Sequence, residues 1–138
     1  LDAIYTKESM ETTEPQVART IYEYNVAIAD IESNGGGRGF ARSIRRILEK
    51  EYNSNRTKIV AFHQSKNKES RILSQATWVM DHIYMPTDWK ERWKDFAKAI
   101  LRFQREGKNE HDDAPDALTG VAEKINAPTL RSGRVNLY

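Results

Sequence analysis

A short apolar segment that ends in acids and is followed by glycines constrains this fold more than any other feature. Residues 26–32 are apolar except for two acids, Asp30 and Glu32, and residues 35–37 are all glycine. Apolar side chains then recur over residues 40–48 at the i, i+4, i+7, i+8 spacing of an amphipathic helix. A buried strand that leads directly into such a helix is the repeating unit of α/β proteins. The apolar positions of this helix are Phe40, Ile44, Ile47 and Leu48.

The same reading extends along the chain and predicts an α/β domain. Apolar and β-favouring segments predict further strands at residues 1–6, 58–63 and 78–85. Helical patterns predict helices at residues 13–24, 70–76, 88–105 and 113–125, the first with a capping box that places Pro15 in its first turn. The expected fold is a mixed, mostly parallel sheet flanked by helices over residues 1–125, followed by a polar tail at 126–138.

Composition excludes several classes of protein. The 138 residues suffice for one domain with a core, and the net charge of +2 does not by itself indicate a nucleic-acid partner. The chain has no cysteine, which excludes disulfides and Cys-based zinc sites and favours an intracellular protein. No apolar run reaches membrane-spanning length, so no membrane partner is expected.

Three aspartates open the last predicted helix. Asp112, Asp113 and Asp116 would repel one another unless a cation neutralises them, and hard oxygen ligands suit Mg²⁺ or Mn²⁺. If residues 117–125 pack through their apolar side chains, Asp113 lies nearest the packed face and Asp116 nearly opposite it. We therefore expect Asp113 to be the leading ligand, Asp112 an auxiliary ligand or N-cap, and Asp116 a supporting group. Capping acids without a metal are the alternative.

Glu32 is the expected partner of Asp113. It ends a predicted parallel strand on the same face as Asp30, and sites in parallel sheets form outside the carboxyl ends of strands. The glycines after it allow a ligand or backbone to approach closely, but they form no phosphate-binding loop. The alternative is an acid that only precedes a helix. His111, beside the aspartates, is interpreted as a spectator, with assistance to a water or leaving group as its alternative.

Basic residues follow the glycines and could hold a phosphate backbone. They occupy the side of the second helix away from its apolar stripe, and a solvated surface explains them equally well. Two lysines after the third predicted strand could extend the same track. The candidate DNA-binding residues are Arg38, Arg42, Arg45, Arg46, Lys66 and Lys68.

Two segments together resemble the C-terminal nuclease domain of tailed-phage terminase large subunits. Residues 32–38 (ESNGGGR) are similar to the family's second acidic motif, and residues 111–118 (HDDAPDAL) to its third. Their order and separation also fit. The resemblance implies an RNase H-like fold and a two-metal endonuclease that uses Mg²⁺ or Mn²⁺ to cut double-stranded, concatemeric viral DNA during genome packaging. It also implies a packaging ATPase domain, small terminase and portal proteins as partners, and the cytoplasm of a bacterial host as the location.

The sequence departs from that family in one respect. The family's first acidic motif is an Asp in the first of three strands, whereas only one predicted strand precedes the first helix here. Asp2 lies in that strand, which is more similar to the strand after the motif. We therefore expect the first strands, the first catalytic Asp and the ATPase to lie outside this chain.

Two other functions are compatible with the same residues. The first is a non-catalytic DNA-binding or assembly module on the same fold, which would bind no metal. The second is a nuclease of the RNase H-like group that acts as a resolvase or transposase.

Overall fold

The computed structural model describes residues 2–104, 109 and 112–127. The chain forms two compact units, Leu1–Lys66 and Asn67–Tyr138. His111 and residues 128–138 of the predicted tail lie outside the described residues. Among the described residues, no helix is both long enough and apolar enough to cross a membrane.

The first unit contains a strand–helix–strand crossover preceded by a helix. Its elements are α1 (Met10–Glu23), β1 (Ile28–Glu32), a single 3₁₀ turn (Asn34–Gly36), α2 (Gly37–Glu51) and β2 (Lys58–Phe62). The two strands are parallel, as predicted, with Ile28 opposite Lys58 and Glu32 opposite Phe62. A parallel pair requires a crossover, and α2 provides it.

The core of this unit lies between the helices and one face of the strands. The apolar stripe predicted for α2 is confirmed, because Ile44, Ile47 and Leu48 are buried. They pack with buried residues of the neighbouring elements and with partly buried side chains of β1. The buried members outside that stripe are Ala18, Ile21, Ala41 and Ile59.

Two predictions for the start of the chain are wrong. The described residues of the predicted first strand, 2–6, form no strand. The helix predicted from residue 13 begins at Met10 with Ser9 as its N-cap, so Pro15 lies inside the helix. Ser9 takes over because its carbonyl accepts hydrogen bonds from the backbone of Thr12 and Thr13, which adds a turn before the predicted capping box.

Every secondary-structure element among the described residues of the second unit is a helix. The unit contains α3 (Lys68–His82), α4 (Trp89–Arg92), α5 (Lys94–Arg102) and α6 (Asp113–Asn126). The strand predicted at residues 78–85 is wrong, because α3 continues to His82. Local apolar content predicted a strand there, but Ile72, Ala76 and Val79 keep the helical spacing and lie on its less exposed side.

Two further helices differ from their predictions. The helix predicted at residues 88–105 is divided at Trp93, whose backbone (φ −125°, ψ 62°) is not helical. The packed face predicted for the last helix is wrong in part, because Ala122 is buried but Val121 and Ile125 are exposed. Thr119 is buried instead, and its hydroxyl donates to the Pro115 carbonyl at 3.0 Å, which satisfies its polar group. The buried residues of α6 are Ala114, Pro115, Thr119 and Ala122.

Charged side chains explain this choice of face. Arg71 of α3 is only 6% exposed, and its guanidinium binds Asp116 and Glu123 of α6, each at 2.7 Å. These acids and Thr119 recur at the i, i+3, i+7 spacing of one helix face. A buried charge is stable only when it is paired, so the ion pairs and the small residues beside them determine which side of α6 meets α3.

We predict that Arg71→Met lowers the free energy of unfolding by about 3 kcal/mol, because it removes the buried cation that two acids share. Urea unfolding followed by circular dichroism measures the change. Arg19→Met is the matched control: Arg19 forms one exposed pair with Glu23, and its loss should cost less than about 1 kcal/mol. Equal effects of the two substitutions would contradict a structural role for Arg71.

Candidate functional site

Glu32 lies at the carboxyl end of β1 on its exposed face. The strand alternates between exposed and partly buried residues, so Asp30 and Glu32 point to the same side and Ala29 and Ile31 pack on the core. The predicted face of both acids is confirmed. A carboxylate at this end of a parallel strand stands where sites of α/β proteins form.

The turn after β1 holds the Glu32 carboxylate in place. The side-chain amide of Asn34 donates to Glu32 Oε1 at 2.7 Å and to the backbone carbonyl of Gln64 at 2.9 Å. The backbone N–H of Ser33 donates to the carbonyl of Phe62 at 2.7 Å. The end of β1 is therefore joined to the end of β2 through both backbone and side chain.

Glycine is favoured at residues 35, 36 and 37 for two different structural reasons. Gly35 (φ 52°) and Gly36 (φ 98°) adopt left-handed backbone conformations that side chains disfavour. Gly37 has an ordinary φ, but a Cβ atom there would lie 1.7 Å from the carbonyl oxygen of Glu32. The glycines were expected to allow a ligand or a backbone segment to approach closely. At Gly37 the backbone carbonyl of Glu32 makes this approach.

The aspartates of the second unit surround a lysine. The ammonium of Lys68, in the first turn of α3, binds Asp112 Oδ1 at 2.8 Å and Asp113 Oδ1 at 2.6 Å, and lies 3.9 Å from Asp116 Oδ2. Asn67 caps α3 by accepting from the backbone of Ser70 and so brings Lys68 into the helix. The predicted contact of Lys68 with DNA stays a prediction; in this structure its ammonium is directed at these carboxylates.

The predicted order of burial among the aspartates is wrong. The side chain of Asp113 is 79% exposed, that of Asp112 is 34% exposed, and that of Asp116 is only 13% exposed. The order reverses because α6 packs through the side that carries Asp116, which Arg71 holds. The ligand roles assigned to the three aspartates stay predictions, as does the pairing of Asp113 with Glu32 of the first unit.

The electrostatics of Lys68 follow from these contacts. Its partial burial lowers the pKa, but the hydrogen bonds and charges of Asp112 and Asp113 outweigh that effect and raise the pKa of Lys68 above its ordinary value. Lys68 is therefore a permanent cation at neutral pH. It neutralises part of the negative charge of the aspartates, which the sequence analysis expected a metal ion to neutralise.

The aspartates fit a divalent ion in the type of donor they offer. Among the described residues, no group of three or more His, Asp and Glu side chains is arranged to hold a metal ion. Two carboxylate oxygens nevertheless converge on a single positive atom, the nitrogen of Lys68. Oxygen donors around one positive centre are the chemistry that Mg²⁺ and Mn²⁺ require.

The basic residues of α2 are exposed, as predicted. Arg38, Arg42 and Arg46 follow one another at i, i+4, i+8 and form a stripe along the helix, which we call the α2 arginine stripe. Arg45 lies beside it and donates to the backbone carbonyl of Ile59 at 3.2 Å. Lys66 is exposed in the polar segment after β2. The stripe borders an open groove of about 420 Å³ lined by Met10, Glu14, Gly39, Arg42, Ser43 and Arg46.

Sequence reasoning missed two residues that organise these sites. Asn34 was interpreted only as part of a motif. Its place two residues after Glu32 and directly before glycines nevertheless indicates that its side-chain amide can reach back to the Glu32 carboxylate. Arg71 carried no such signal, because a buried arginine looks like any surface arginine in a helical sequence.

The family model of the Terminase Bacteriophage T7, Ribonuclease H-like domain matches residues 3–83, more than half of the chain. The chain belongs to this terminase family. The expected RNase H-like fold and the resemblance to phage terminases are thereby confirmed. The terminase match includes the turn that carries Glu32 and Asn34, and it ends before α6. No curated protein and no solved structure was found to match the chain.

We predict that Gly37→Ala destabilises the terminase domain by about 1–3 kcal/mol, because the new methyl group would overlap the Glu32 carbonyl. Thermal unfolding measures the loss. Gly39→Ala is the matched control, since a Cβ at Gly39 meets nothing within 4 Å and alanine favours the helix. The prediction fails if Gly37→Ala, like Gly39→Ala, leaves the unfolding midpoint unchanged or raises it.

Proposed function

We propose that this terminase domain is a metal-dependent endonuclease that cleaves double-stranded viral DNA during genome packaging. The observation that carries the proposal is the Glu32 carboxylate, exposed at the carboxyl end of β1 and oriented by Asn34, within the region that matches a terminase RNase H-like domain. A nuclease of this type needs carboxylates in such a place, because they bind the ions that activate water.

The acidic residues have different proposed roles. Glu32, Asp113 and Asp112 would each be a ligand of Mg²⁺ or Mn²⁺, and Asp116, fixed by Arg71, would support them. Two bound ions would supply an activated water and a charge that stabilises the leaving 3′ oxygen. The exposed carboxylate of Asp113 is the most accessible of the three aspartates to a phosphodiester.

The α2 arginine stripe is the proposed contact for the DNA backbone. Its three guanidinium groups span about 12 Å along the helix, which corresponds to the rise of three to four nucleotides in one strand. Such contacts position the duplex without reading its sequence. Arg45 and Lys66 are proposed as further contacts of the DNA backbone that bind phosphates rather than bases.

Family membership supports the proposed setting. A terminase nuclease would work beside a packaging ATPase domain, with small terminase and portal proteins as partners, in the cytoplasm of the bacterial host. These partners and this location are proposals that the family suggests.

A second candidate is a DNA-binding or assembly module without catalysis. The ion pairs of Lys68 with Asp112 and Asp113 favour it, because they neutralise these carboxylates without a metal. The two candidates differ in whether DNA is cut and in whether Glu32 and Asp113 bind a metal ion.

We predict that Glu32→Gln and Asp113→Asn each reduce Mn²⁺-dependent nicking of supercoiled plasmid by about a hundredfold or more, because each removes a ligand charge. Asp30→Asn, on the same strand face, is the matched control and should retain nicking. Undiminished nicking by both variants would refute the catalytic assignment. Absence of Mn²⁺ binding, together with DNA affinity that survives both substitutions, would favour the second candidate.

We predict that replacing Arg38, Arg42 and Arg46 together by Gln weakens binding to duplexes of any sequence and makes it less dependent on salt. Three lost phosphate contacts should reduce the slope of log K against log [KCl] by about 2–3. Fluorescence anisotropy with a labelled duplex measures both quantities. Arg19→Gln on α1, whose arginine is paired with Glu23, serves as control and should leave the slope unchanged.

A further inference from the structure

We propose that Asn34 is a positioning residue that orients the carboxylate of Glu32 for a divalent ion by fastening it to the end of β2. This inference rests on the proposed metal-dependent function and adds a residue to it. Asn34 touches neither substrate nor reacting atoms in this proposal; it acts through Glu32.

The contacts of Asn34 join three parts of the turn. One amide nitrogen lies within hydrogen-bonding distance of both Glu32 Oε1 (2.7 Å) and the Gln64 carbonyl (2.9 Å). An amide NH₂ group has two hydrogens, one for each acceptor. Because the Gln64 acceptor is a backbone atom, Asn34 fixes the Glu32 carboxylate relative to the backbone that follows β2.

A fixed orientation matters at this position because Glu32 is exposed. A free glutamate loses much rotamer freedom when it binds an ion, and that loss weakens binding. A hydrogen bond that orders the side chain beforehand removes part of this cost. The bond to Oε1 also leaves the second oxygen, Oε2, for an ion. Outer partners of this kind orient metal ligands in many sites, and their loss commonly lowers metal affinity by about 10–100-fold.

The backbone around Asn34 is shaped for this contact. Gly35 and Gly36 have positive φ values of 52° and 98°, and the backbone of Gly37 passes directly against the Glu32 carbonyl. The chain thereby reverses within a few residues, which keeps Asn34 beside the residue two positions before it. The close turn and the amide contact together hold Glu32 at the sheet end.

A double-mutant cycle in the 138-residue chain tests the inference. Mn²⁺ affinity is measured by isothermal titration for the unmodified chain, Asn34→Ala, Glu32→Gln and the double variant. Asn34→Ala should weaken Mn²⁺ binding by about tenfold, and it should have no further effect in the Glu32→Gln background. Ser33→Ala is the matched control, because only the backbone N–H of Ser33 is used in the turn, and it should leave the affinity unchanged.

A second substitution protects the test against misfolding. Asn34→Ser keeps a polar group whose shorter side chain cannot bridge both acceptors, so it should weaken Mn²⁺ binding like Asn34→Ala. Thermal unfolding of each variant shows that the domain is folded. A purely structural role would lower the unfolding midpoint without coupling to Glu32 in Mn²⁺ affinity.

The outcomes separate this inference from the proposed function. If Glu32→Gln weakens Mn²⁺ binding and the Asn34 variants do not, the positioning role is overturned and the metal function stands. Equal weakening by Asn34→Ala in both backgrounds also overturns it, because Asn34 would then act on something other than Glu32. If Glu32→Gln has no effect, the proposed metal function and this inference both fail.

Discussion

The contact between the backbone of Gly37 and the carbonyl of Glu32 is the constraint on which the first unit depends. With a Cβ excluded there, α2 can begin directly after β1 and its single turn. That start lets Ile44 and Ile47 pack in the core while α2 leads to a parallel β2. The same turn leaves the Glu32 carboxylate exposed at the strand end, so one steric requirement shapes both the crossover and the candidate site.

In the second unit, ion pairs join α3 to α6 in addition to the buried apolar side chains. Arg71 is buried between acids of α6, and Lys68 binds Asp112 and Asp113 one turn earlier on α3. Removing charged groups from water is costly, and only close pairing offsets that cost. The small side chains of α6 allow the helices to approach closely enough for these pairs to form. Any cation that bound the two aspartates would share their oxygens with Lys68.

Membership in a terminase family gives these features a common chemical meaning. The matched region carries the exposed Glu32, its amide partner and the α2 arginine stripe. Carboxylates that bind divalent ions and arginines that bind phosphates are the two requirements of a DNA-cutting domain. The proposed nuclease joins both, with Asn34 as the residue that prepares the ligand for its ion.

The sequence by itself determined the crossover, the apolar stripe of α2 and the shared face of Asp30 and Glu32, because periodicity and glycines act locally. It also carried the motifs that indicated a terminase. It did not determine the extent of α3 or the packed face of α6, since local apolar content favoured a strand in one and the wrong side in the other. Only the tertiary structure decided these, along with the burial order of Asp116 and Asp113 and the partners of Lys68. The physical reason is that ion pairs between distant residues, such as Arg71 with Glu123, compete with local preference and have no periodic signature in sequence.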